Sequence, residues 1–391
     1  MPSLDSLPAE TLLIIARILG GAYLRGRVDH ILLFRSWYSV TQSVAWEDVA
    51  LSLSTLTGFL QAPPDVQSFI RSRVKHLSIS GSYSIPNELH HLASRQSVSD
   101  PAHTEAQKRA RWRTQQHARS TELSSALAAF STGLAQMRKL RTFRLALSCD
   151  AETYASVAAD DTWTAALKSV VAALPPSLES LTMDKLGPTT RYATAGESDA
   201  HAVCQALHAR NALPALRHLR LRVHCVCPEL FDVVRIGVHP VLETVVVSLT
   251  AGDPDVDIVH HARCCTDPQR QSQWLYADMV DAARCAVSAC FPSIRTLRIV
   301  RYDVQALKFS SDDIVSGEIV DLPEGVSWDD VDGGDERVAA ADEAIGSGDH
   351  VYLGDDVVEE EVGHVAATVQ AMVGVELMPE MTLTININTA V

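Results

Sequence analysis

At 391 residues, with 47% hydrophobic and 21% charged residues, the chain is long enough for one large or two ordinary folded domains and too apolar for a disordered polymer. Its net charge of −15 is concentrated near the C-terminal end and argues against nucleic-acid binding through that end, and no run of eighteen apolar residues exists to cross a membrane. Eight cysteines and the lack of a basic-then-apolar leader predict reduced thiols and a cytoplasmic or nuclear location.

The first predicted element is a helix. Ser6 serves as its N-cap, Pro8 sits in the first turn where a missing N–H costs nothing, and Glu10 adds a favourable charge there. Leu12, Ile15 and Leu19, with Leu13 and Ile18 beside them, recur at three- and four-residue spacing, and Gly20-Gly21 is expected to stop the helix. A second apolar stretch, Val28 to Val40, carries Trp37 as a large anchor. So short a unit cannot bury both faces of its helices, so some apolar area is expected to meet something else. The alternative makes it the first helical hairpin of a larger core.

Leu7-Pro8-Ala9-Glu10, an amphipathic helix, and then Arg35-Ser36-Trp37-Tyr38 resemble an F-box, the module that docks a protein onto the Skp adaptor of cullin-based SCF ubiquitin ligases. The resemblance implies an F-box over residues 1–55, with Leu7, Pro8, Leu12, Ile15, Leu19, Leu33 and Trp37 as adaptor contacts. It also implies that the rest of the chain holds a protein substrate.

Further along, one pattern repeats. Val74-Lys75-His76-Leu77-Ser78-Ile79, Leu140–Leu145, Leu178–Met183, Leu216–Leu221, Leu242–Val247 and Ile294–Ile299 all follow L-x-x-L-x-L or an aliphatic variant of it. Helical stretches are predicted over Leu123–Met137, Thr162–Leu174, His201–Asn211, Leu230–Ile236 and Trp274–Cys290, most of them passing through a Pro or small residue into the next strand. One helix and one short strand cannot bury their own apolar face, whereas stacked units can. The expected fold is therefore α/β: a helical F-box, then an irregular leucine-rich-repeat solenoid over 56–302 with a parallel concave sheet, similar to fungal-type F-box proteins with degenerate repeats. An ordinary α/β domain with similar spacing is the competing architecture. A polar insertion is expected near 82–120.

Strand side chains alternate, so the residues between the buried leucines should face outward: His76, Arg144, Thr182, His218, Arg220, Arg222, Thr244, Thr296 and Arg298. Arg144, Arg220 and Arg298 occupy one slot on three strands, a lane suited to an acidic or phosphorylated target. Arg144, His218, Arg220, Arg222 and Arg298 are the candidate substrate contacts; the plainer reading leaves them as solvated surface charge.

Other clusters carry less. His260-His261-Ala262-Arg263-Cys264-Cys265, with Cys225 and Cys227 upstream, lacks the paired spacing of a structural zinc site, so no metal or cofactor is expected. Lys108-Arg109-Ala110-Arg111-Trp112-Arg113, with Arg119, reads either as a nuclear-localisation or anion-binding run or as a solvated helix. No Gly-rich phosphate loop, G-x-S-x-G elbow or H-E-x-x-H helix is present, and no catalytic role is expected.

From Asp303 to Glu361 there are 19 acidic residues and only two basic ones, Lys308 and Arg337, on an otherwise balanced chain. Residues 303–391 are expected to form this acidic segment, then a capping helix over Val357–Val373 and an edge strand from Met381 to Ile387. The combined expectation is a non-catalytic receptor for a cullin ligase that binds the Skp adaptor and a protein substrate. A leucine-rich-repeat scaffold without any ligase is the competing class.

Overall fold

The computed structural model describes residues 7–26, 35–82, 105–148, 161–185, 214–223, 226–232, 241–251, 260–261, 272–303 and 308–322, with the single positions 204, 207 and 237. The chain divides between Val49 and Ala50 into two compact units.

The first unit contains a pair of helices, α1 (Ala9–Gly26) and α2 (Arg35–Ala45). The helix that starts at Ala9 breaks at Gly20, as expected at the glycine pair: with φ 77° and ψ 156° its backbone is non-helical, a conformation that favours glycine, and a second helical stretch follows to Gly26. Gly21 is buried, and a β-carbon there would lie 3.1 Å from the Val44 carbonyl oxygen, so its small size lets α1 approach the end of α2. Arg25 closes the pair: its guanidinium donates to the Ala45 carbonyl, one that the helix end leaves without a partner, and, at 2.7 Å, to the carbonyl of Asp48 just beyond it.

The second unit is mixed α/β. A short β1 (Asp48–Ser52) leads into α3 (Leu53–Gln61), α4 (Pro64–Arg71) and β2 (His76–Ser82). Ser52 caps α3 by accepting the Thr55 amide at 3.2 Å, and Pro64 opens α4 where no amide is needed. Then follow α5 (Glu105–Leu134), β3 (Thr142–Ser148), α6 (Asp161–Ala173), β4 (Ser180–Lys185) and β5 (His218–Arg222). A 3₁₀ turn (Pro228–Phe231), β6 (Thr244–Ser248), β7 (Thr250–Ala251), β8 (His260–His261), α7 (Ser272–Ala289), β9 (Thr296–Asp303), β10 (Lys308–Asp313) and β11 (Ile319–Asp321) complete the described elements. Nine strands make one open sheet in the order β1-β2-β3-β4-β5-β6-β9-β10-β11.

The six strands from β2 to β9 are the six copies of the sequence pattern. Neighbours pair in parallel without shift, so Leu77, Phe143, Leu181, Leu219, Val245 and Leu297 line one row, and Ile79, Leu145, Met183, Leu221, Val247 and Ile299 another. All twelve are buried. Helices connect most of these strands, and crossovers of one hand place them on one face of a parallel sheet. Leu127, Phe130, Val170, Met279 and Ala283 from α5, α6 and α7 are buried in turn.

Strand entry repeats as regularly. The carbonyl oxygens of Lys75, Arg141, Glu179, Arg217 and Glu243 each accept two amides from the next strand, as Arg141 takes Glu179 N at 2.7 Å and Ser180 N at 2.9 Å. The side chains at this slot read Lys75, Arg141, Glu179, Arg217, Glu243, Arg295. Arg141 pairs with Glu179 at 2.9 Å and Arg217 with Glu243 at 2.6 Å. Each pair is worth only about 0.2–1 kcal/mol, and Lys75 stands beside Arg141, so the row supports the β3–β4 and β5–β6 neighbours without fixing the order of the whole sheet.

Three expectations shift. Residues 105–120 of the predicted polar insertion belong to the thirty-residue helix α5. Of the helix expected over Leu230–Ile236, only the 3₁₀ turn ending at Phe231 is described. Residues 308–322, placed in the acidic segment, form two strands that extend the sheet, β10 antiparallel to β9 and β11 antiparallel to β10. The reason is local alternation: Phe309, Ser311 and Asp313 fall on one face, and Ser310 and Asp312 on the other. The helix expected at Val357–Val373 and the strand at Met381–Ile387 lie outside the described residues, as does most of His201–Asn211.

Candidate functional site

Two surfaces carry the residues singled out from sequence. On the helical pair, the expected adaptor contacts divide. Leu12 is 1% exposed and Trp37 2%, and both belong to a core shared with Ala16, Leu24, Val44 and Ala45. Leu7, Ile15 and Leu19 are half-buried against that same core, Pro8 is exposed, and Leu33 lies outside the described residues. Leu12 and Trp37 are thus corrected from surface contacts to interior ones: α1 and α2 close on each other, and these are the side chains they close over.

The outward apolar residues are different ones. Ile14 is 58% exposed and Ile18 65%, four residues apart on the side of α1 away from Leu12 and Ala16; Tyr38 on α2 is 40% exposed. The sequence signal was present as a second i, i+4 pair, but apolar residues around most of α1 leave the buried stripe undetermined by periodicity alone.

On the sheet, the outward residues fall in three rows. The first holds His76, His218, Thr244 and Thr296, the second Arg144, Thr182, Arg220 and Arg298, and the third Asp184 and Arg222. Arg144, Arg220 and Arg298 do share one row, and all three are half-buried. Their surroundings differ. Val246 stands in that row between Arg220 and Arg298, and Val246 and Val300 are buried beneath Phe309 and Leu322. The register also sets Asp313 directly opposite Arg298. Arg298 therefore belongs to a covered end of the face, and Arg144 and Arg220 to the remainder.

Arg222 is committed elsewhere. Its Nε and Nη2 donate to Asp184 Oδ1 and Oδ2 at 2.7 and 2.6 Å, a bidentate pair only 14% and 12% exposed. Such a fork cannot also present itself to a target. Asp184 was not anticipated; it stands three residues beyond the repeat's central leucine, and only the lateral register brings it to Arg222.

A third polar cluster lies on the helix side of β9 and β10. The Tyr276 hydroxyl donates to Asp312 Oδ2, Arg301 stacks 4.1 Å above the Tyr276 ring, and Arg301 Nε donates to Ser310 Oγ at 3.3 Å. Asp312 is 8% exposed, its Oδ1 has no hydrogen-bond partner, and burial pushes its carboxyl above the usual carboxylate range. A raised folded-state pKa means that the native protein holds its proton more tightly than the unfolded chain does. Stability is then lost as pH rises from the ordinary carboxylate pKa through the raised value. Asp312→Asn is expected to stabilise the protein by about 1 kcal/mol at neutral pH, with the gain shrinking on acidification; urea melts at two pH values measure it.

His260 and His261 pair as strand residues with Ala251 and Thr250, while Cys225, Cys264 and Cys265 lie outside the described residues. Among the described residues no three His, Cys, Asp or Glu side chains converge as a metal site. No helix among them is long and apolar enough to cross a membrane. Lys108 to Arg113 lie within α5. No family model matches the chain, and no curated protein matches its sequence.

Proposed function

We propose that the chain is a substrate receptor of an SCF-type cullin ubiquitin ligase. The helical pair acts as an F-box that docks on a Skp-type adaptor, and the six strand-and-connector units act as an irregular leucine-rich-repeat solenoid that holds a target. The mechanism is positioning: held near a conjugating enzyme, a target lysine reacts at high effective concentration without chemistry by this chain.

The observation that supports this reading is the exposed Ile14–Ile18 pair on α1, directly after the Leu-Pro-x-Glu opening. Burying two such side chains against a partner contributes about 1.5–3 kcal/mol each. The docking surface so proposed is Pro8, Ile14, Ile18 and Tyr38, with Leu12 and Trp37 shaping the pair from inside.

The test is co-purification of the full chain with a Skp-type adaptor. Ile14→Asp with Ile18→Asp is expected to abolish capture while circular dichroism stays unchanged. No capture by the intact chain removes the receptor reading. The burial of Leu12 and Trp37 favours the competing scaffold reading, in which the pair is only a structural unit; the same experiment decides between them.

A further inference from the structure

At the edge where the parallel strands begin, the turn into β2 and the turn into β3 lie side by side. The Lys75 carbonyl accepts the Arg141 and Thr142 amides at 2.7 and 3.0 Å, which sets the two tracks about 4.8 Å apart there. Arg71 fixes the end of α4 against the second turn: its Nη2 donates to Gln67 Oε1 at 2.7 Å and its Nη1 to Gln136 Oε1 at 3.5 Å. Residues 71–75 and 138–141 bring Arg71, Arg73, Lys75, Arg138, Lys139 and Arg141 to this edge and no acidic residue. Arg141 is held by Glu179. Arg138 and Lys139 are exposed, and neither side chain has a partner among the described residues. Arg73 stacks 3.8 Å over the Phe69 ring with its Nη1 3.5 Å from Ser72 Oγ, and a stacked guanidinium keeps its other in-plane N–H groups for a ligand.

Like charges set side by side cost free energy, and an anionic partner removes that cost. We propose that this edge docks an acidic segment of another protein, with its carboxylates on Arg73, Arg138 and Lys139 and an apolar side chain on Val66. The Arg73 amide still donates to the Ile70 carbonyl at 2.9 Å, so the helical course of α4 reaches it. Val66, Phe69 and Arg73 then stand at i, i+3 and i+7 on one face, and Val66 is 40% exposed, so an apolar contact adjoins the charges. A nucleic acid fits less well. Arg73 occupies a face of Phe69 that a base would need for stacking, and a chain with net charge −15 repels a long polyanion. None of these contacts uses the helical pair, so the surface serves a receptor and a scaffold alike and names the same class of partner for both.

Fluorescence anisotropy with the full chain tests it. The probe is a labelled peptide of glutamates flanking one leucine; comparison peptides carry glutamine for glutamate or serine for leucine. The glutamate–leucine peptide is expected to bind, less tightly as salt rises, and both replacements are expected to weaken it. Arg138→Glu with Lys139→Glu reverses two exposed charges and is expected to lower affinity roughly tenfold or more, with circular dichroism unchanged. Arg284→Gln, exposed on α7, is expected to leave binding unaltered. Absence of binding by the glutamate–leucine peptide overturns the inference, as does equal affinity for the glutamine peptide; both are read on the wild-type chain, even should the variant fail to fold. So does unaltered binding by the folded double variant, or equally tight binding of a single-stranded RNA of matching charge. Failed adaptor capture with peptide binding intact overturns the receptor reading alone.

Discussion

Trp37→Ala is expected to lower the stability of the helical pair by about 3–5 kcal/mol, the range for emptying a large aromatic site in a core. Trp37 is 2% exposed and, among the described residues, packs in a cluster with Leu12, Ala16, Leu24, Val44 and Ala45, so its loss would empty the centre of that small core. Thr41, fully buried one turn on, donates its hydroxyl to the Trp37 backbone carbonyl at 2.8 Å, so its own polar group is satisfied within α2. Hydrogen exchange resolved along the chain is the measurement: amides of α1 and α2 should lose protection. Retained protection in both helices would show that Trp37 does not hold the pair together. The result bears on function as well. Adaptor capture lost on Trp37→Ala reports unfolding, whereas capture lost on Ile14→Asp with Ile18→Asp reports a surface.

In the sheet, Phe143→Ala should remove about 3–5 kcal/mol, a large share of the 5–15 kcal/mol that holds a typical domain together. Phe143 is the only aromatic residue in the buried row that runs from Leu77 to Leu297, and it is fully enclosed. Replacing it opens a void at the second of six stacked strands. The sheet order sets β3 between β2 and β4, so damage there weakens the link between them. A thermal midpoint lowered by roughly 10 °C is expected, with Phe143→Leu costing clearly less. A shift of under two degrees for the alanine variant would contradict the enclosure of this ring.

The sheet was legible because its information is local and repeated. Each copy of L-x-x-L-x-L specifies a strand, its buried face and its phase, and six copies in one phase pair without shift. The common row of Arg144, Arg220 and Arg298 follows from the same phase.

Three matters needed the tertiary structure. The apolar residues of α1 cover most of its circumference, and the kink at Gly20 re-aims its second half, so packing against α2 alone settled that Leu12 is inside and Ile14 and Ile18 outside. The first part of α5 carries little apolar periodicity, so residues 105–120 read as an insertion from sequence while only its second half reads as a helix. The β10–β11 extension brought Phe309 and Leu322 over Val246 and Val300, closing one end of a face that alternation alone would leave open. By itself, then, the sequence determined which residues share a strand face, because alternation and repeat phase are properties of neighbours along the chain. Which faces another element covers was decided only in three dimensions, because burial depends on residues far away in sequence.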